Sequence, residues 1–116
     1  CANRQLNTRA IEIGRRVTDR FRAIQQRFPD WVGDVRGIGA MVAIELMTNG
    51  DPHQPATELT GEVLKACVSR GVLILGAGIY GNVIRFLAPL VITDELLDQG
   101  LDIIADEVAN AVTRHS

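Results

Sequence analysis

Apolar side chains recur at steps of three and four over the first 28 residues. Leu6, Ala10, Ile13, Val17, Phe21, Ile24 and Phe28 fall on one face of a helix running from about Asn3 to Phe28. Arg9, Arg15, Arg16, Arg20, Arg22 and Arg27 mostly occupy the remaining faces, which reads as a solvated surface. Pro29 stops this helix. The period then changes. Trp31 to Arg36 and Met41 to Met47 are β-type runs joined by Gly37-Ile38-Gly39, which predicts a hairpin. The second run is almost wholly apolar, as in a central, covered strand, and its Glu45 needs a partner or an exposed end.

Thr48 to Pro55 is dense in turn formers and reads as a loop. A second helix is expected from about Ala56 to Ser69, with Leu59, Val63, Ala66 and Cys67 inward and Gly71 as its stop. Val72 to Leu75 predicts a short strand, Gly76 to Gly81 a glycine-rich loop, and Asn82 to Leu87 another strand closed by Pro89. Thr93 is placed to cap a last helix, with Asp94 and Glu95 in its positive first turn. Leu97, Leu101, Ile104, Val108 and Ala111 form its inner face. This order is not a strict βαβ alternation. It predicts an α+β fold: a small, largely antiparallel sheet with helices over one face.

Composition sharpens the picture in a few places. A 116-residue chain with 47% hydrophobic and 22% charged residues is expected to be one domain, here 1–116, with a leading helix at 1–28 and sheet and helices at 31–116. Such a chain buries roughly two-thirds of its unfolded surface. The net charge of −2 leaves no basic excess for phosphate, so no nucleic-acid partner is expected. The apolar runs are too short to span a membrane, and no membrane partner is expected. Cys1 and Cys67 make no disulfide framework, which points to a reducing compartment, the cytoplasm. The chain starts at Cys1 without a basic segment leading into an apolar one, which speaks against a signal peptide and for a start inside something longer. Eleven of the twelve basic residues are arginine, so Lys65 is the only candidate for lysine chemistry.

Few residues offer chemistry. Gly76-Ala77-Gly78-Ile79-Tyr80-Gly81 fits the dinucleotide pattern G-x-G-x-x-G, but a helix must open inside that pattern, and Asn82 to Leu87 reads as a strand. The glycines are read as a sharp turn between strands. Lys65 lies on the polar face of a helix near Glu58, Glu62 and Arg70, where a Schiff-base lysine would not lose its proton. Cys67 reads as core, His53 and His115 lie in a loop and at the tail, and no metal-ligand spacing exists. Ser69 and Ser116 have no nucleophile context. Arg85 is different, because it stands in an apolar strand and must meet an anion. It either pairs with a structural acid such as Glu45 or Asp34, or clamps a substrate carboxylate with its planar fork.

Two stretches carry a resemblance. Gly33-Asp34-Val35-Arg36-Gly37-Ile38-Gly39-Ala40-Met41-Val42-Ala43-Ile44-Glu45-Leu46 resembles the start of the small C-terminal domain of class III aminotransferases. Gly81-Asn82-Val83-Ile84-Arg85-Phe86-Leu87-Ala88-Pro89-Leu90, with Thr93 and the closing helix, resembles the end of that domain. The wording from Tyr80 to Arg85 is most similar to the 4-aminobutyrate aminotransferases. The resemblance implies the fold of the type I pyridoxal-phosphate enzymes and a homodimer. It also implies a separate large domain of the same chain, which holds pyridoxal 5'-phosphate and its lysine. It implies that Arg85 binds the carboxylate of glutamate or 2-oxoglutarate, and that an acid of the large domain pairs with it when 4-aminobutyrate is the substrate. The substrates would be an amino acid and a 2-oxo acid. Lys65 matches no catalytic position of the family, and Arg36 is read as structural. No residue here is expected to be catalytic, cofactor-binding or metal-binding, and the chain alone is expected neither to hold the cofactor nor to transaminate. A non-catalytic α+β binding module is the alternative.

Overall fold

The computed structural model describes residues 2–72, 74–77, 81–89 and 92–115. The chain runs α1 (Ala2–Arg27), β1 (Val32–Ile38), β2 (Met41–Thr48), β3 (Asp51–Pro55), α2 (Thr57–Ser69), β4 (Ile74–Ala77), β5 (Val83–Leu87) and α3 (Asp94–His115). The strands lie in the order β1-β2-β5-β4, all antiparallel, with β3 pairing β2 off this path.

The helices form where the three-and-four spacing predicted them. Ile13, Val17, Phe21 and Ile24 of α1 are buried, as are Leu97, Leu101, Ile104, Val108 and Ala111 of α3. The α3 start is capped as expected: the Leu96 amide donates to Thr93 Oγ1 at 3.2 Å, while Asp94 and Glu95 occupy the first turn. The strands bury alternate residues. Val42, Ile44 and Leu46 of β2 and Ile84 and Phe86 of β5 face the helices and share one core cluster with them. Phe21 of α1 meets Phe86 of β5 edge to face, with ring centroids 6.3 Å apart. Each of the buried Val, Leu, Ile and Phe side chains contributes about 1.5–3 kcal/mol.

Residues 51–55 are not a loop. Asn49 and Gly50 both have positive φ, 55° and 73°, the signature of a tight two-residue hairpin turn. Thr48 pairs with Asp51 across it, and the segment returns as β3. The prolines at 52 and 55 masked this strand in the sequence. They are tolerated because β3 lies at an edge, where missing ladder donors cost little.

The arginine face of α1 is only partly solvated. Arg15, Arg22 and Arg27 are exposed. Arg9 pairs with Asp94 at 3.0 Å, Arg16 with Asp98 at 3.0 Å and Asp94 at 3.6 Å, and Arg20 with Asp102. Asp94, Asp98 and Asp102 stand one helical turn apart on α3, so the two helices are laced along matching faces. Among the described residues no helix is long and apolar enough to cross a membrane.

Candidate functional site

Strand β5 lies between β2 and β4, and the period of two sends its residues to opposite faces. Ile84 and Phe86 go into the core, whereas Arg85 and Leu87 are exposed. The register builds a row across four strands on the uncovered face: Arg36 opposite Ala43, Ala43 opposite Arg85, and Arg85 opposite Leu75. Half-buried Met41 and Ala43, buried Val83, and Leu87, which is 63% exposed, surround the arginine position with apolar surface.

The structural acids offered by the sequence are engaged elsewhere. Arg36 Nε lies 3.5 Å from Asp34 Oδ2, and Arg36 Nη2 lies 3.8 Å from Glu45 Oε2. Arg36 is therefore the structural partner within the β1–β2 hairpin, and it also answers the need for a counter-charge at Glu45. Among the described residues Arg85 makes no ion pair. A planar, permanently charged guanidinium on an open, partly apolar face can receive a carboxylate through two parallel hydrogen bonds.

Other candidates resolve plainly. Gly76 and Ala77 belong to β4 and pair with Ile84 and Val83, so the glycine stretch joins two antiparallel strands; residues 78–80 lie outside the described set. Lys65 is exposed on α2. Leu59, Val63 and Cys67 of that helix pack into the core on the face opposite Arg85. Lys65 therefore lies away from Arg85. Cys67 is fully buried, and burial, followed by the nearby Glu107 charge, pushes its thiol up to about 11. His53 lies in β3 rather than a loop, and its backbone amide donates to Asp51 Oδ1. His115 Nε2 is 2.7 Å from Glu62 Oε2. Ser69 Oγ donates to the Ala66 carbonyl, and Ser116 lies outside the described residues. No metal-holding cluster occurs among the described residues.

One residue beside the site escaped sequence reasoning. Asn82 is 4% exposed, and its Nδ2 donates to the Leu46 carbonyl at 3.0 Å. Its only sequence signal is a polar side chain standing between a glycine and an apolar strand.

A family model for the class-III aminotransferases matches residues 1–108. The chain belongs to the class-III aminotransferases. Among relatives, this aminotransferase chain is 48% identical over 103 residues to a 4-aminobutyrate aminotransferase of Mycobacterium leprae (strain TN), covering 89% of this chain and 23% of the relative. It is 43% identical over 102 residues to a 5-aminovalerate aminotransferase of Pseudomonas aeruginosa, covering 88% of this chain and 24% of the relative. A phospholyase from Arthrobacter, solved in complex with phosphoethanolamine, superposes with a TM-score of 0.82 at 30% identity, over 93% of this chain and 25% of that one. The chain thus spans about a quarter of the length of the proteins it matches. The α+β architecture of this chain is shared with the matching part of the phospholyase structure.

Proposed function

We propose that residues 1–116 are the C-terminal small domain of a longer, pyridoxal-phosphate-dependent aminotransferase. Its reaction moves an amino group from 4-aminobutyrate to 2-oxoglutarate, giving succinate semialdehyde and glutamate. The observation that carries this reading is Arg85: exposed on the uncovered sheet face, without an ion pair among the described residues, while Arg36 takes both nearby acids. The named 4-aminobutyrate relatives support 4-aminobutyrate as the amino donor. In this reading Arg85 binds the carboxylate of 2-oxoglutarate or glutamate, and the open face closes one side of the active site against the large domain. That large domain supplies the cofactor lysine, and no step on the cofactor is assigned to residues of this chain. Because an arginine does not lose its charge, it exchanges one carboxylate for another, and an acid of the large domain takes it when 4-aminobutyrate is bound. A homodimer belongs to the same reading and rests on the family resemblance, and the cytoplasm rests on the lack of a disulfide framework.

A second reading, transamination of another ω-amino acid, is favoured by the 43% identity to the 5-aminovalerate enzyme. The family membership weighs against the free-standing binding module.

The test is Arg85→Ala in the complete enzyme, read by two single-turnover half-reactions. Leaving a bound carboxylate without its charged partner costs about 2–5 kcal/mol, or about 30- to 4000-fold in kcat/KM. The 2-oxoglutarate half-reaction is expected to lose this factor and the 4-aminobutyrate half-reaction less. Arg85→Lys recovers only part, because a point charge lacks the bidentate fork. Equal losses in both half-reactions, with a large fall in melting temperature, would instead make Arg85 a structural residue. Comparing 4-aminobutyrate with 5-aminovalerate as donor separates the two substrate readings.

A further inference from the structure

Asn82 is buried at the point where the chain leaves the glycine stretch and enters β5. Gly81 turns the chain with φ 63°, and Asn82 then meets Leu46 of β2 twice. The Leu46 amide donates to the Asn82 carbonyl at 2.8 Å, and Asn82 Nδ2 donates to the Leu46 carbonyl at 3.0 Å. The same Leu46 carbonyl accepts the Ala56 amide at 3.1 Å, immediately before α2. The Leu46 carbonyl therefore joins the end of β2 to the approach to α2, and the Asn82 side chain ties the start of β5 to that same carbonyl. It sits one step beyond Val83, whose register partner is Glu45, the last pair of the β2–β5 ladder.

The register of β5 decides which face Arg85 occupies. A slip of one residue against β2 would send every β5 side chain to the opposite face. Arg85 would then enter the core beside Phe21, and Ile84 would stand on the open face. The flanking residues Gly81 and Val83 carry no side-chain donor, so only the observed register gives the Leu46 carbonyl its side-chain hydrogen bond.

We infer that Asn82 is a positioning residue that pins the β5 register and thereby holds Arg85 on the open face at the place a substrate carboxylate reaches. This inference rests on the proposed role of Arg85 and adds the residue that holds that role in place. Displacements of about 1 Å at a binding group cost about 100-fold. The complete enzyme carrying Asn82→Ala or Asn82→Ser is therefore expected to lose about 10- to 100-fold in kcat/KM for the 2-oxoglutarate half-reaction, mainly through KM, and less for the 4-aminobutyrate half-reaction. Asn82→Ser keeps a small polar group and carries the test if the alanine variant does not fold. The Asn82→Ser, Arg85→Ala double variant is expected to be no worse than Arg85→Ala, because a residue acting through Arg85 has nothing left to position. Losses that multiply in the double variant, or fall equally on both half-reactions, overturn the inference.

Hydrogen exchange at the Leu46 amide reads the pin without reference to substrate. Exchange at least about tenfold faster in Asn82→Ser supports it, and unchanged exchange overturns it. If Arg85→Ala leaves the 2-oxoglutarate half-reaction intact, the reading of Arg85 fails. The Leu46 exchange still decides whether Asn82 holds the register.

Discussion

Replacing Gly14 by alanine should destabilise the protein even though alanine is the better helix former. Gly14 is buried in the middle of α1, where the helix crosses the turn of the β1–β2 hairpin. A Cβ built there lies 1.8 Å from the Gly39 carbonyl oxygen and 2.9 Å from its carbon. Carbon and carbonyl oxygen make contact at about 3.3 Å, so helix and hairpin must separate by about 1.5 Å. The obstacle is main chain and cannot rotate aside. Overpacking of this kind costs about 1–3 kcal/mol, and so deep an overlap belongs at the upper end. Alanine returns about 1 kcal/mol of helix propensity. The net loss is about 2 kcal/mol, a fall of about 8 °C in melting temperature for a chain of this size. Gly100 is the control: it is also helical, and a Cβ there meets nothing within 4 Å. Gly100→Ala should gain about 0.5–1 kcal/mol. Urea and thermal unfolding of both variants, followed by circular dichroism, measure the difference. If Gly14→Ala proves as stable as Gly100→Ala, the close approach of α1 to the hairpin is refuted.

Arg16→Ala removes pairs to Asp94 and Asp98 that are only partly shielded from water, so it should cost about 0.5–1 kcal/mol at low salt. That loss should shrink toward zero near 1 M salt, where the screening length is about 3 Å, and a salt-independent loss in urea melts would contradict the ion-pair account. The Cys67 thiol should resist alkylation at neutral pH in the folded state and react on unfolding, since burial pushes it up to about 11. Because its folded value lies above the ordinary 9.0, its stabilising contribution is complete below about pH 9 and is lost as pH rises toward 11. Unfolding curves of Cys67→Ala should lack that alkaline decline. Lys65→Ala in the complete enzyme should leave cofactor retention and turnover unchanged, and loss of the cofactor's absorbance on dialysis would refute this.

Much of this was legible along the chain. Ile13, Val17, Phe21 and Ile24 announced α1, and Thr93 with Asp94 and Glu95 announced the start of α3, because a helix writes its buried face and its ends into spacings of three and four. The apolar run of β2 and the isolated charge of Arg85 were equally visible, since an apolar run and a charge inside one are local features. Strand β3 was not, because Pro52 and Pro55 speak against a strand until its edge position is known. Nor could the sequence choose between Arg36 and Arg85 as the partner of Asp34 and Glu45. Both arginines flank β2 in the same row, and only the placement of β1 and β5 on its two sides gave the acids to Arg36. The pairing of Arg9, Arg16 and Arg20 with Asp94, Asp98 and Asp102 joins helices more than sixty residues apart, and the tie from Asn82 to Leu46 spans thirty-six. Periodicity records what one element buries; which elements become neighbours is settled by packing among all of them, and that packing left Arg85 on the open face.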